Sequence, residues 1–135
     1  MTNSFQTPSL LVVLLAGALA ALTAGCGGQR RAAPVNAEQA RQTLQSVLES
    51  WKGGQSTPGG QREASPPVVV QDMDWEQGCQ LVDYQFVGDG RSRDANLHVR
   101  VDLVLRDKSG KERTKKAFYV VGTDPYLTVF RELPL

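Results

Sequence analysis

The stretch Ala95–Arg106, with the sequence ANLHVRVDLVLR, decides the fold class of this chain. Apolar side chains occupy every second position in it, and most of the positions between them are polar or charged. This period of two predicts a strand with one face on a core and the other face in solvent. Shorter segments of the same kind occur between residues 68 and 132, joined by turns predicted at 88–92 and 107–110. Because short connections require antiparallel neighbours, we expect a curled antiparallel sheet of four to five strands.

A helical period precedes the sheet. From Asn36 to Lys52 apolar side chains recur at helical intervals, at Ala37, Ala40, Leu44, Val47, Leu48 and Trp51. Asn36 is the predicted N-cap, and the pair Gly53-Gly54 predicts the end of the helix. The apolar stripe needs a partner surface, and the apolar face of the sheet supplies one. We therefore predict an α+β fold, with one N-terminal amphipathic helix packed on the antiparallel sheet.

This order of elements, over residues 36–132, resembles the cystatin-like and nuclear-transport-factor-2-like superfold. The chain has one long helix where the larger family has three. In enzymes of that superfold a His or Asp inside a cone acts as general base, so the resemblance points to His98 with Asp102 or Asp83. His98 is the only histidine, which excludes a multi-histidine zinc site. The strand alternation places these residues on the polar face, where we expect a solvated surface.

An uncharged apolar run over residues 10–22 leads into Leu22–Cys26, with the sequence LTAGC. This ending resembles the lipobox of bacterial lipoproteins, in which small residues precede the cysteine that is lipidated. The resemblance implies a signal peptide at residues 1–25, a diacylglyceryl group on the sulfur of Cys26 and a lipidated tether at residues 26–35. An uncleaved membrane anchor and ordinary secretion remain alternatives, because no basic residue precedes the run. All three alternatives place residues 30–135 outside the cytoplasm or on its outer face, and the lipoprotein resemblance implies the cell envelope.

Length and composition narrow the possible classes of protein, since the full chain has 135 residues and a net charge of +1. Basic and acidic residues nearly balance, at 15 and 14, which disfavours nucleic acid as a partner. The length beyond the leader suits a single domain at residues 36–135. Its Gly-, Ser- and Pro-rich segment at residues 53–67 is predicted to be a disordered loop. If Cys26 is lipidated, Cys79 has no disulfide partner, and we predict a buried, unreactive thiol there.

Two charged segments could form binding sites. Residues 72–76, DMDWE, carry three alternating carboxylates but lack the glycine and glutamate that a calcium-binding EF-hand loop needs. We predict a strand there, with acidic edge protection and with Met73 and Trp75 directed inward. Five cations lie around the turn predicted at 107–110, at Lys108, Lys111, Arg113, Lys115 and Lys116. They form either a solvated hairpin that protects a sheet edge or a contact with lipid headgroups or anionic wall polymer.

No nucleophile elbow, phosphate-binding glycine loop or His-Glu-x-x-His zinc motif occurs in the sequence. We therefore expect a non-enzymatic, membrane-anchored envelope lipoprotein, a small binding or structural module without cofactor or metal. Its expected partners are the membrane, through the lipid on Cys26, and an envelope protein or wall polymer. The alternatives are a small cone-type enzyme or ligand-binding protein that uses His98 with Asp102 or Asp83, and a peptide binder that adds a strand to an exposed sheet edge. The sequence leaves the oligomeric state open.

Overall fold

The structure is a computed structural model, which describes residues 28, 31–56, 58 and 66–133. The predicted signal peptide, the lipidated Cys26 and the central part of the loop predicted at 53–67 lie outside these residues. From Ala32 onward the described residues belong to one compact unit. None of their helices has the length and the apolar run that crossing a bilayer requires.

The described residues form two α-helices and five strands. The first helix, α1, spans Ala37–Lys52, where the apolar spacing predicts it, and a one-turn helix, α2, spans Met73–Glu76. The strands are β1 (Val68–Gln71), β2 (Gln80–Arg93), β3 (Asn96–Arg106), β4 (Glu112–Gly122) and β5 (Leu127–Arg131). Because α1 packs on one face of the sheet, the fold is α+β, with one helix on a five-stranded sheet.

α1 begins where its first free backbone amides find an acceptor. The Asn36 side chain accepts a hydrogen bond from the backbone N–H of Gln39 at 3.0 Å, as an N-cap does. The backbone N–H of Asn36 donates to Thr123 Oγ1 at 3.1 Å, which fixes the start of the helix beside the turn between β4 and β5. The buried stripe comprises Ala40, Thr43, Leu44, Val47, Leu48 and Trp51. Burial of this stripe stabilises a helix that is marginal on its own at this length.

The sheet is mixed, so the prediction of a strictly antiparallel sheet is wrong. Its strand order is β1-β5-β4-β3-β2: the last four strands in the chain form an antiparallel meander, and β1 pairs with β5 in parallel. In that pair Val68 lies opposite Leu127, and Val70 lies opposite Val129. Short connections require antiparallel neighbours only between consecutive strands. The whole meander separates β1 from β5, so the spacing in the sequence does not set their relative direction.

The core lies between α1 and one face of the sheet. β3 follows the predicted alternation, with every second residue from Leu97 to Leu105 buried. The largest fully buried side chains are Trp51, Trp75 and Tyr119. Cys79 is also buried, as predicted, and no disulfide joins it to another described residue.

Residues 72–76 do not form the predicted strand. β1 ends at Gln71, and the Asp72 carboxylate caps α2 by accepting the backbone N–H groups of Asp74 and Trp75 at 3.0 and 3.3 Å. An aspartate that bonds to the backbone just after it competes with strand pairing, and an alternation of carboxylates does not reveal this competition. Trp75 is buried as predicted, but Met73 is 50% exposed, so its inward direction is a second wrong prediction.

The prediction of a turn at residues 88–92 is also wrong, because β2 continues through these residues to Arg93. This segment is instead a bulge in the pairing of β2 with β3. The chain reverses at Asp94 and Ala95, whose positive φ values of 51° and 63° are those of a two-residue hairpin turn. Sequence rules assign such turns mainly to glycine and asparagine, and Ala95 gives no such signal.

Candidate functional site

Two aspartates of α2 and its N-cap form the centre of a buried group that we name the ion-pair cluster. The aspartates are Asp72 and Asp74, and their partners on β4 and β5 are Arg113, Lys115, Tyr119 and Arg131. Alternate residues of a strand share one face, and the odd-numbered residues of β4 all lie on the face that carries the helices. The strand pattern therefore brings the three β4 side chains to α2.

Asp72 is 2% exposed, and both of its carboxylate oxygens are occupied. One oxygen accepts the two backbone N–H groups that begin α2, and the other accepts the Tyr119 hydroxyl at 2.6 Å and Arg131 Nη1 at 3.0 Å. Burial, and after it the charge of Asp72, raise the pKa of Tyr119 well above its ordinary value, so the phenol stays a neutral donor. Asp72 thus ties α2 to both β4 and β5.

Asp74 is 5% exposed and contacts three cations. Its oxygens accept hydrogen bonds from Lys115 Nζ at 2.9 Å, Arg131 Nη2 at 3.1 Å and Arg113 Nη2 at 3.2 Å. Burial by itself would raise the pKa of Asp74, but the hydrogen bond and charge of Lys115 and the charges of the two arginines outweigh it and lower the pKa. The carboxylate therefore stays ionised at neutral pH, and its removal would leave buried positive charge without a partner.

The geometry of the ion-pair cluster favours a structural connection over a reaction centre. All the donors that the two carboxylates accept belong to this domain, and the Arg131 side chain is 8% exposed, so the cluster offers little access to a substrate. Sequence reasoning missed the cluster, because Arg113 and Arg131 lie 39 and 59 residues from the aspartates that they bind. The signal that could have found it is the pair of cations at alternate positions, Arg113 and Lys115, on a strand face that is otherwise apolar.

An open cleft of about 470 Å³, which we name the basic cleft, lies beside the ion-pair cluster where β5 ends. Its lining includes Met73, Lys115, Lys116, Phe118, Arg131 and Leu133. Three of these are exposed apolar side chains: Met73 is 50%, Phe118 48% and Leu133 63% exposed. Lys116 is exposed, and its ammonium group pairs with no carboxylate of the described residues. The basic cleft therefore combines apolar contact area with unpaired positive charge.

Two carboxylates also line the basic cleft, and both are engaged elsewhere. Asp74 belongs to the ion-pair cluster, and Glu132 Oε1 lies 3.1 Å from Nδ1 of His98. Neither carboxylate is therefore free to balance the charge of Lys116. The cleft favours a ligand group that is anionic or apolar over one that is cationic.

The structure does not join the three predicted catalytic candidates by hydrogen bonds. Each has a partner of its own: His98 has Glu132, Asp102 has Arg100 at 3.3 Å, and Asp83 has Lys52 at 3.0 Å. The His98 side chain is 24% exposed on the helix-free face and borders an open groove of about 400 Å³ at the β2 bulge. Glu132, which sequence reasoning did not consider, is the group placed to orient the His98 ring.

No three His, Cys, Asp or Glu side chains within the part of the chain that the structure describes come together as a metal site. The carboxylates of residues 72–76 instead cap α2 and bind cations of the same domain. The predicted lipidation site, Cys26, lies outside the described residues.

No known protein family, curated protein or solved structure matches this chain.

Proposed function

We propose that this chain is a lipid-anchored lipoprotein of the bacterial cell envelope, and that its domain binds an envelope protein through the basic cleft. The anchor rests on the lipobox-like sequence that ends at Cys26. The binding role rests on one observation: Phe118 and Leu133 expose apolar surface beside the unpaired ammonium group of Lys116. The proposal includes no enzymatic activity and no cofactor.

Exposed apolar side chains gathered in one concave place support binding. Single exposed hydrophobic residues are ordinary on protein surfaces. Here, however, three of the six large exposed apolar side chains of the described residues line the same cleft. A partner that covers them removes apolar area from water, which stabilises a complex by about 25 cal/mol per Å² before the costs of association.

The shape of the basic cleft favours a protein partner over the lipid surface. The cleft is concave, has a volume of about 470 Å³, and exposes Phe118 and Leu133 within it. A side chain of a protein partner can enter such a cleft and cover both apolar groups.

We also propose that the domain belongs to the cystatin-like and nuclear-transport-factor-2-like superfold. One long helix over a five-stranded sheet supports this. Enzymes of that superfold use a cone between helix and sheet, but here Trp51, Trp75 and Tyr119 occupy that space and are each 1% exposed. A filled interior favours a role for the surface of the domain.

Acid–base catalysis by His98 is the second candidate function. It is favoured by the contact of 3.1 Å between His98 and Glu132 beside an open groove, because a carboxylate can orient an imidazole that transfers a proton. Asp102 and Asp83 have other partners, so Glu132 replaces them in this candidate. A His98→Gln variant that still forms the partner complex, but does not restore the phenotype of a strain that lacks the protein, would favour catalysis over binding.

Detergent extraction of the envelope, followed by intact mass measurement and native electrophoresis, tests the proposed function. We expect an acylated chain that begins at Cys26 and runs as a complex. Phe118→Ser should abolish the complex, whereas Tyr126→Ser should keep it, because Tyr126 is 72% exposed but lies outside the basic cleft. An unacylated mass would contradict the anchor, and equal complexes in the two variants would contradict binding at the cleft.

A further inference from the structure

Among the strands that the structure describes, none lies beside one edge of half of β4, and this edge adjoins the basic cleft. The last backbone hydrogen bond on that side runs from the N–H of Glu132 to the carbonyl of Phe118 at 2.7 Å. From Glu112 to Ala117, β4 pairs with β3 on one side. In the described part of the chain, no strand lies on its other side. These six residues therefore present a sheet edge to solvent.

The outward hydrogen-bonding groups of this edge belong to Glu112, Thr114 and Lys116, of which the last two lie nearest the basic cleft. Backbone groups of a strand alternate between its two sides, and Phe118 bonds on the β5 side, so Lys116 and Thr114 face that side too. Both residues are exposed.

Cations flank this edge on both faces of the sheet. Lys116 lies on the helix-free face, while the side chains of Arg113 and Lys115 lie on the α1 face, 49% and 41% exposed. The one carboxylate in this part of β4, on Glu112, is paired with Arg106 at 2.6 Å. On the α1 face the ion-pair cluster sets three cations against two carboxylates, which leaves one positive charge. A segment laid along the edge thus meets net positive charge on both faces and apolar side chains at the cleft.

We propose that this edge accepts an extended acidic peptide as an added strand, hydrogen-bonded to Thr114 and Lys116, with an apolar end against Phe118 in the basic cleft. The inference rests on the proposed function, and it names the chemistry of the partner segment. Backbone hydrogen bonds supply affinity in such strand addition, and alternate side chains supply specificity. A lipid surface shares the negative charge but has no strand of backbone groups, so it cannot satisfy Thr114 and Lys116.

Hydrogen exchange of the full acylated chain in non-ionic detergent tests the proposal, with a fluorescent, capped nonapeptide of alternating valine and glutamate as ligand. At saturation we expect exchange of Glu112–Ala117 to slow by roughly tenfold. The matched peptide carries N-methyl groups on alternate residues, which keeps its charge but removes the donors of one edge. It should not bind, and neither should a peptide of alternating valine and lysine.

A pair of charge reversals gives the second measurement, by fluorescence polarisation. Lys116→Glu should weaken peptide binding at least ~5-fold, since it replaces a favourable charge contact with a repulsive one. Lys108→Glu makes the same change in the β3–β4 turn, away from the cleft, and should stay within about 2-fold. Neither lysine is in an ion pair within the described residues, so neither substitution breaks an ion pair of the folded protein.

Three results would overturn strand addition: equal affinity of the N-methylated peptide, protection on the β2 edge instead of Glu112–Ala117, or binding only to phosphatidylglycerol vesicles. These failures differ from failure of the proposed function. A complex that depends on Phe118 without protection of β4 would keep the binding module and reject the added strand. An unmodified Cys26 would reject the lipid anchor and leave the peptide result standing.

Discussion

The indole rings of Trp51 and Trp75 stack in the core, with their centroids 5.1 Å apart and their planes at 6°. Each ring N–H has a backbone acceptor: Trp51 donates to the carbonyl of Cys79, and Trp75 donates to that of Gln55, both at 2.8 Å. The pair connects the end of α1 to α2. It holds α2 in place from the helix side, while the ion-pair cluster holds it from β4 and β5.

Trp75→Ala is expected to lower the free energy of unfolding by about 3–5 kcal/mol, because it leaves a large cavity and removes the donor of the Gln55 carbonyl. Urea unfolding followed by circular dichroism measures this change. A double-mutant cycle with Trp51→Ala should give a coupling of about 0.5–1.5 kcal/mol for the stacked rings. Strict additivity of the two changes would show that the rings do not act as a pair.

Burial of the α1 stripe predicts that Leu44→Ala and Leu48→Ala each cost about 2–5 kcal/mol of unfolding free energy. Both side chains are at most 1% exposed, so each truncation leaves a cavity against the sheet. Gln45→Ala is the matched control on the exposed side of the same helix, and it should change stability by less than about 0.5 kcal/mol. Similar losses at all three positions would mean that the stripe does not face the core.

Asp74→Asn tests the ion-pair cluster through the pH dependence of stability. The pKa of Asp74 is lowered in the folded state, so its stabilisation is present above the ordinary value of 3.8 and is lost as the pH falls through the lower folded value. At neutral pH the variant should lose roughly 2–3 kcal/mol, less than a fully buried pair because Arg113 and Lys115 are about half exposed. Urea unfolding between about pH 6 and about pH 2 should show this difference shrink towards acid.

Asp89→Asn is the matched control for that experiment. Asp89 is exposed in the β2 bulge and has no ion-pair partner in the described residues, so the variant should keep the wild-type profile. If Asp74→Asn also follows the wild-type profile at every pH, the cluster does not stabilise the fold through its charge.

Periodicity was sufficient to predict one helix on a sheet, because it reports which face of each element is buried. The period of two from Leu97 to Leu105 and the helical spacing from Ala40 to Trp51 both correspond to buried faces in the structure, whereas Ala37, at the start of the predicted stripe, is exposed. Periodicity could not predict the parallel pair of β1 with β5. That pairing depends on which non-consecutive strands meet, and no local spacing encodes it.

The candidate site was less accessible to sequence reasoning, because its contacts are distant in the chain. The alternating carboxylates of residues 72–76 suggested a strand, but Asp72 accepts backbone N–H groups and begins a helix instead. His98 is on the predicted polar face, yet its partner is Glu132 of the chain segment after β5, 34 residues away. The alternation of a single strand specifies the face of a side chain and not which neighbour it meets.

Cys26→Ser is expected to abolish metabolic labelling of the chain by an alkyne fatty acid and to accumulate the longer precursor. A serine hydroxyl cannot replace the thiolate in forming the thioether, and a chain without acyl groups is not held at the membrane. Gel mobility and labelling of the two forms measure this. Cys79→Ser is the control and should label like the wild type, and unchanged labelling in Cys26→Ser would contradict the lipid anchor.

Photo-cross-linking in living bacteria is the most direct test of binding through the basic cleft. A benzophenone side chain replaces Phe118 in one variant and Tyr126 in the other, since both positions are exposed, at 48% and 72%. We expect a discrete protein adduct from position 118, none from position 126, and loss of the adduct when Lys116→Glu is added. Adducts of equal yield from both positions, or an adduct with lipid alone at position 118, would contradict a protein partner at this cleft.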